Sequence, residues 1–154
     1  MITIKEDIQE AHTFSLLVDN EAGVLARVIG LFSGRGYNIE SLTVAEVDKD
    51  SHTSRITIVS KGSPKTIDQI KRHLERLVPV HKVTDLTIEG PSVEREMALI
   101  KVLYTNENKE EILRLVEIYR AKIVDTTDKS FVFELTGAMD KINSFIDLLR
   151  PLGL

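Results

Sequence analysis

The sequence predicts an α+β protein in which two halves repeat one order of strands and helices. Short runs alternate polar and apolar residues, as strands do, and the runs between them carry apolar residues at helical spacing. A Gly-Pro-Ser break at residues 90–92 separates the halves. Residues 12–89 read β-α-β-β-α-β, and this order begins again after the break. We therefore expect two ferredoxin-like domains, each with an antiparallel sheet and two helices on one face.

The first half begins with a strand over residues 12–19, in which Phe14, Leu16 and Val18 share one face. A helix over residues 23–34 follows, since its apolar residues recur every three or four positions. The glycines of SGRG, residues 33–36, supply the left-handed turn that ends this helix.

A strand over residues 38–47 and another over 52–61 flank the turn Asp48-Lys49-Asp50-Ser51, which predicts an antiparallel hairpin. Ser63 before Pro64 is typical of a helix start, and this second helix reaches residue 77. Pro79 ends it and precedes a strand over residues 80–89.

The second half predicts a strand over residues 94–104, a helix over 106–119, a hairpin of 121–127 with 130–136, and a last helix that follows Gly137 and ends before Pro151. This is the same plan without its last strand. The predicted organisation is an N-terminal arm over residues 1–11, a domain over 12–89, a linker over 90–92 and a C-terminal domain over 93–154.

Composition excludes several classes of function. A formal charge of -4 over 154 residues gives no basic field for nucleic acid or an anionic membrane. No cysteine is present, which removes disulfides and thiolate metal sites. No apolar run approaches the roughly twenty residues that cross a bilayer. We expect a cytoplasmic protein.

Chemical motifs are equally sparse. The four histidines, at positions 12, 52, 73 and 81, lack metal-ligand spacing, so we expect solvated or capping side chains. Asp48 and Asp50 are expected to be turn formers. The charges at residues 94–96 are typical of a solvated strand edge, with a docking role as the alternative. No motif indicates a catalytic or metal-binding residue.

The segment of residues 20–44 favours a small-ligand site built from the main chain. The helix that starts near Gly23 leaves its first N–H groups unpaired and carries partial positive charge there, which suits a carboxylate. Asn20 is placed to cap it. We expect the segment Asn38 to Val44 to begin at the same end as Gly23. The plain alternative is a helix cap at Asn20 and a turn residue at Asn38.

Two stretches of the sequence also resemble a known family. DNEAGVLARVIGLFSGRGYNIESLTV, residues 19–44, followed by SRITI at residues 54–58, resembles the N-terminal ACT domain of acetolactate synthase small regulatory subunits. VEREMALIKV, residues 93–102, resembles the opening of their C-terminal domain. The resemblance covers residues 13–153.

The resemblance implies a noncatalytic subunit that binds the acetolactate synthase catalytic subunit, raises its activity and confers feedback inhibition by valine or another branched-chain amino acid. It implies a homodimer through ACT domains. It implies no cofactor in this chain, with thiamine diphosphate, Mg and FAD on the catalytic partner, and no nucleic acid or membrane partner.

Carried over by position, the implied effector site comprises Asn20, Gly23, Val24, Leu25, Asn38 and Ile39. The first four belong to the NExG motif and the helix start, and the last two would reach the ligand from the neighbouring protomer. Two departures stand out: Val24 replaces a commonly smaller residue, and the family continues into a final strand and a basic tail where nothing follows Leu154 here. A stand-alone amino-acid sensor that acts on another enzyme or regulator is the alternative, and an enzyme in its own right is a third.

Overall fold

The computed structural model describes residues 8–154, which divide along the chain into two compact units with the boundary between Ser92 and Val93. Each unit has its own apolar core. None of the helices in this described part is long and apolar enough to cross a membrane.

The first unit contains, in chain order, β1 (Glu10–Asp19), α1 (Val24–Arg35), β2 (Ser41–Asp48), β3 (Thr53–Gly62), α2 (Pro64–Glu75) and β4 (Val80–Asp85). The four strands form an antiparallel sheet with strand order β2-β3-β1-β4. This order is that of the ferredoxin-like plan, so the predicted fold is confirmed.

Both helices lie on one face of this sheet. Alternate residues of β1 and β3 point towards them, so the core gathers the strand residues Phe14, Leu16, Val18, Ile56 and Ile58 with Val24, Val28, Phe32, Ile67, Ile70 and Leu74 from the helices. Burying each of these large side chains contributes about 1.5 to 3 kcal/mol. No helix among residues 8–92 packs against the other face of the sheet.

Local signals act as predicted at the turns. Gly36, with φ of 70°, ends α1 and donates its N–H to Phe32 and Ser33. The Ser63 hydroxyl accepts the Thr66 N–H at the start of α2, with Pro64 in the first turn. The Asp48 carboxylate accepts the Asp50 N–H in the hairpin turn.

Several strand boundaries differ from prediction, and β2 begins at Ser41 rather than residue 38. Strand β1 begins at Glu10, so the predicted arm loses its last two residues to the sheet, while residues 1–7 lie outside the described part. Strand β4 ends at Asp85 rather than residue 89, because the Asp85 side chain accepts the Thr87 N–H and its carbonyl accepts those of Ile88 and Glu89. A short polar side chain of this type favours a turn over a strand.

The second unit contains β5 (Glu96–Leu103), α3 (Lys109–Tyr119), β6 (Lys122–Thr126), β7 (Ser130–Gly137), α4 (Met139–Leu149) and a 3-10 turn (Arg150–Leu152). Its three strands form an antiparallel sheet of order β5-β7-β6, which lacks the fourth strand of the plan, as predicted. The Leu103 N–H donates to the carbonyl of Gly153 at 2.8 Å.

Candidate functional site

The N-terminus of α1 lacks any side-chain cap. Gly23 holds the N-cap position with φ of 86°, a left-handed conformation that favours glycine, and the first turn contains no acidic residue. The N–H groups of Leu25 and Ala26 donate to no oxygen within residues 8–154. These donors and the positive end of the helix dipole therefore remain available to an anion.

The structure corrects the role predicted for Asn20. This residue follows β1 directly, and its side-chain amide donates to the Glu46 carboxylate at 3.1 Å instead of capping α1. Its backbone N–H donates to the His52 carbonyl at 2.7 Å. Asn20 is thus an exposed side chain beside the helix start, held by Glu46 of the edge strand β2.

Asn38 and Ile39 lie beyond the other end of α1. The Asn38 amide donates to the Glu40 carboxylate at 2.7 Å, and its carbonyl accepts the hydroxyl of the buried Ser60 at 2.6 Å. Ile39 is half-buried against the core of the first unit. The Ser60 contact fixes the backbone, while the Asn38 side chain stays exposed.

The prediction that Asn38 to Val44 begins at the same end as Gly23 is wrong. Through β3, Ser41 at the start of β2 aligns with Thr13 near the start of β1, whereas Gly23 follows the end of β1. The twelve residues of α1, about 18 Å at 1.5 Å each, separate the two groups. One protomer brings Asn20, Gly23, Val24 and Leu25 together but leaves Asn38 and Ile39 at the far end.

Apolar side chains at the β2 edge are exposed. Val44 points to the helix-covered face, opposite Ile56, yet is 45% exposed because β2 is the outermost strand. Leu25 and Ile29, one turn apart on α1, are 37% and 41% exposed. We call these three exposed apolar side chains the β2-edge strip.

A buried polar pair was missed in the sequence. His12 is 7% exposed rather than solvated, and its Nδ1 lies 2.7 Å from the carboxylate of Asp85, itself 2% exposed. Its Nε2 lies 3.3 Å from the Glu10 carboxylate. The alternation that places Phe14 inward also places His12 inward, so the strand pattern carried this signal.

The pair lies against a cleft of about 240 Å³ lined by Glu10, His12, Pro64, Ile67, Asp68, Lys71, Asp85 and Ile88. Both Asp85 oxygens are already hydrogen-bonded, one to His12 and one to the Thr87 N–H. These contacts join β1 to β4 and to the turn that follows it. Within residues 8–154, no group of three or more His, Asp or Glu side chains could hold a metal ion.

Among residues 8–92, two side chains have shifted pKa values, and neither belongs to the predicted effector site. The hydroxyl and N–H of Ser51 hold the pKa of Asp48 below its ordinary value. Loss of hydration, followed by the charges of Arg35 and Arg76, lowers the pKa of His73. The lowered pKa of Asp48 favours its carboxylate, and the lowered pKa of His73 favours its neutral imidazole.

Two family models match the chain. One, for an AHAS small subunit-like ACT domain, matches residues 14–82, and the other, for the small subunit of acetolactate synthase, matches residues 95–154. Together they span both structural units.

Characterised relatives agree with these models. The chain is 46% identical to the acetolactate synthase small subunit of Haemophilus influenzae, covering 88% of this chain and 82% of the relative. It is 44% identical to the acetolactate synthase isozyme 3 small subunit of Escherichia coli, covering 90% and 84%. The crystal structure of the Thermotoga maritima acetolactate synthase small subunit matches with a TM-score of 0.82 and 46% identity, over 92% of this chain and 88% of that one.

Proposed function

Because this chain belongs to the family of acetolactate synthase small subunits, we propose that it activates the catalytic subunit and confers valine feedback inhibition in branched-chain amino acid biosynthesis. The observation that carries the proposal is the open N-terminus of α1, with two N–H donors unpaired within residues 8–154. A cytoplasmic location is part of the same proposal.

The open terminus suits the carboxylate of a free amino acid. Main-chain donors and the helix dipole hold the negative group, and amide oxygens of Asn20 and Asn38 accept hydrogen bonds from the ammonium. Gly23 has no side chain, and no described atom lies within 4 Å of the position that a Cβ would take. The space beside the helix start is therefore open to a ligand. Leu25 and Ile39 offer apolar surface to a branched tail.

A two-fold pairing of β2 edges supplies the missing half of this site. Such a pairing sets the two α1 helices antiparallel, so the Gly23 end of one protomer meets the Asn38 end of its partner. The exposed β2-edge strip supports the pairing, because an open strand edge and apolar side chains are then buried together. We therefore propose a homodimer with the effector between its ACT domains.

Inhibition requires that valine bind two states of the assembly unequally. In the proposed mechanism, valine favours the ACT arrangement that couples to the less active holoenzyme, and coupling of this kind is typically worth about 1 to 3 kcal/mol. The chemistry itself is proposed to reside in the catalytic partner, with its thiamine diphosphate, Mg and FAD.

Reconstitution tests the proposal. The catalytic subunit from the same organism is assayed for acetolactate formation alone and with increasing amounts of this chain. We expect saturable activation by the chain, with no turnover by the chain alone. Unchanged activity at saturating chain would contradict the regulatory role.

An affinity pull-down from extract separates this role from a stand-alone sensor. Recovery of the thiamine-diphosphate enzyme supports the proposal. Recovery of a different enzyme or regulator, without the synthase, would replace it by the sensor alternative.

A further inference from the structure

The face of the first sheet that no helix of its unit covers has a regular polar pattern. Strand pairing aligns Thr43 with Thr57, Thr57 with Ser15, and Ser15 with Thr84. Ser15 and Thr57 alternate with buried core residues of β1 and β3, so they point to the open side of the sheet. Directly opposed residues of antiparallel strands point to the same side, so Thr43 and Thr84 lie there too. A row of four hydroxyl side chains thus crosses all four strands.

Cationic residues flank this row. Arg55 and Lys82 both lie opposite Leu17 in the adjacent row, two strands apart and about 10 Å from each other at the usual strand spacing. Lys61 lies on the other side of the hydroxyl row, opposite Ala11. We call these three cations and four hydroxyls the open face.

The cations of the open face have no internal counter-charge. Within residues 8–154, no carboxylate lies within ion-pair distance of Arg55, Lys61 or Lys82, and all three are exposed. At the margin, the Asp19 carboxylate is taken by His81. The Asp48 carboxylate lies in the same marginal row, opposite Thr53, and accepts the Ser51 hydroxyl. A protein with a net charge of -4 therefore keeps three unpaired cations on this one surface.

The shape and chemistry of the open face indicate which class of partner it fits. A flat sheet does not enclose a small molecule, which calls for a concave site. Single-stranded nucleic acid binds sheets through stacking on aromatic side chains, and the rows described here contain none. Hydroxyls and unpaired cations instead complement Asp and Glu side chains on a protein surface.

The area also suits a macromolecule. Four strands at about 4.8 Å spacing, each contributing about seven residues, give roughly 450 Å² per protomer. Two protomers joined at their β2 edges would present roughly 900 Å², comparable to one side of a standard protein interface of about 800 Å².

We propose that the open face docks onto an acidic surface of the acetolactate synthase catalytic subunit. This assignment rests on the proposed function and names the surface through which the two subunits associate. Binding then depends on salt, because exposed charge pairs are screened as ionic strength rises.

Charge reversal tests the assignment. The double variant Arg55→Glu/Lys82→Glu is compared with the wild-type chain for its dissociation constant with the catalytic subunit and for activation. We expect a dissociation constant roughly 10- to 100-fold higher, because like charges then face each other. The variant Arg55→Lys/Lys82→Arg, which preserves both charges, should bind within about 3-fold of the wild type.

A matched control reverses two exposed cations of α2 and its end, Lys65→Glu/Arg76→Glu, with the same change in net charge. This control should bind as the wild type does. If Arg55→Glu/Lys82→Glu proves unfolded by circular dichroism, the neutral variant Arg55→Gln/Lys82→Gln takes its place, with a loss of roughly 3- to 10-fold expected.

The outcomes are distinguishable. Wild-type chain that neither binds nor activates the catalytic subunit overturns the proposed function. Wild-type chain that binds while the reversed variant binds equally overturns the open-face assignment alone. Equal losses in the variant and the α2 control would show that net charge, not this face, governs binding, and would also overturn it.

Discussion

Gly23 is the residue at which backbone conformation and proposed ligand chemistry coincide. Its φ of 86° costs any other residue about 1 to 2 kcal/mol, and its position exposes the N–H donors of the next turn. Gly23→Asp adds a carboxylate where the carboxylate of the effector is proposed to lie. We expect calorimetry to show valine affinity reduced at least about 100-fold.

A control at another positive-φ glycine isolates the charge. Gly90→Asp changes a residue with φ of 134° outside α1 and should leave valine affinity unchanged. Gly23→Ala should weaken binding less than Gly23→Asp does. Unchanged affinity in Gly23→Asp would show that valine binds elsewhere.

The His12–Asp85 pair makes a separate prediction about stability. His12→Leu removes the side chain bonded to a nearly fully buried carboxylate, and leaving such a group short of a partner costs about 1 to 3 kcal/mol. Urea unfolding should report a loss of this size. Glu10→Gln, at the exposed side of His12, should change stability by less than about 1 kcal/mol. A loss in His12→Leu no larger than that of Glu10→Gln would show that the pair contributes little.

At residue level, the prediction of a solvated or capping His12 was wrong, although strand alternation was enough to show that it shares the buried side of Phe14, Leu16 and Val18. The side-chain contact of Asn20 was not predictable in the same way. Asn20 and Glu46 are 26 positions apart and meet only because β3 pairs with both β1 and β2. The preference of Asn for helix N-caps predicted that Asn20 caps α1, but its side chain bonds to Glu46 instead.

Among the elements, α1 and β2 carry the proposed contact between two protomers. Val44→Glu places a charge in the exposed β2-edge strip, where the proposed dimer would bury it. We expect the dimer dissociation constant, measured by analytical ultracentrifugation, to rise at least about 10-fold. Val78→Glu, at a side chain 91% exposed after α2, serves as the control and should leave the dimer intact.

A Val44→Glu protein that stays as dimeric as the wild type would exclude the β2 edge as the contact. Valine affinity should fall together with dimerisation, because each half of the proposed site comes from a different protomer.

The elements themselves were largely predictable because their signals are local. Periodicity placed the four α-helices and seven strands of residues 8–154, and caps at Ser63-Pro64 and Gly36 set the start of α2 and the end of α1. Strand β4 ended early because Asp85 closes a turn with its own side chain, a choice between strand and turn that alternation does not resolve.

For the whole molecule, strand order and register determine which sites can exist. The motif residues at Gly23 and at Asn38 lie close in sequence yet at opposite ends of a helix about 18 Å long. Sequence spacing alone suggested one shared end. The sheet register separates them, and the proposed effector site consequently belongs to the dimer.

Inhibition by valine, carried by this chain into a partner enzyme, is the central claim. The most direct test is a valine titration of acetolactate formation by the catalytic subunit, alone, with the wild-type chain and with the Gly23→Asp chain. We predict inhibition only with the wild-type chain, while the Gly23→Asp chain still activates. Equal inhibition of the catalytic subunit alone, or full inhibition with the Gly23→Asp chain, would contradict the account.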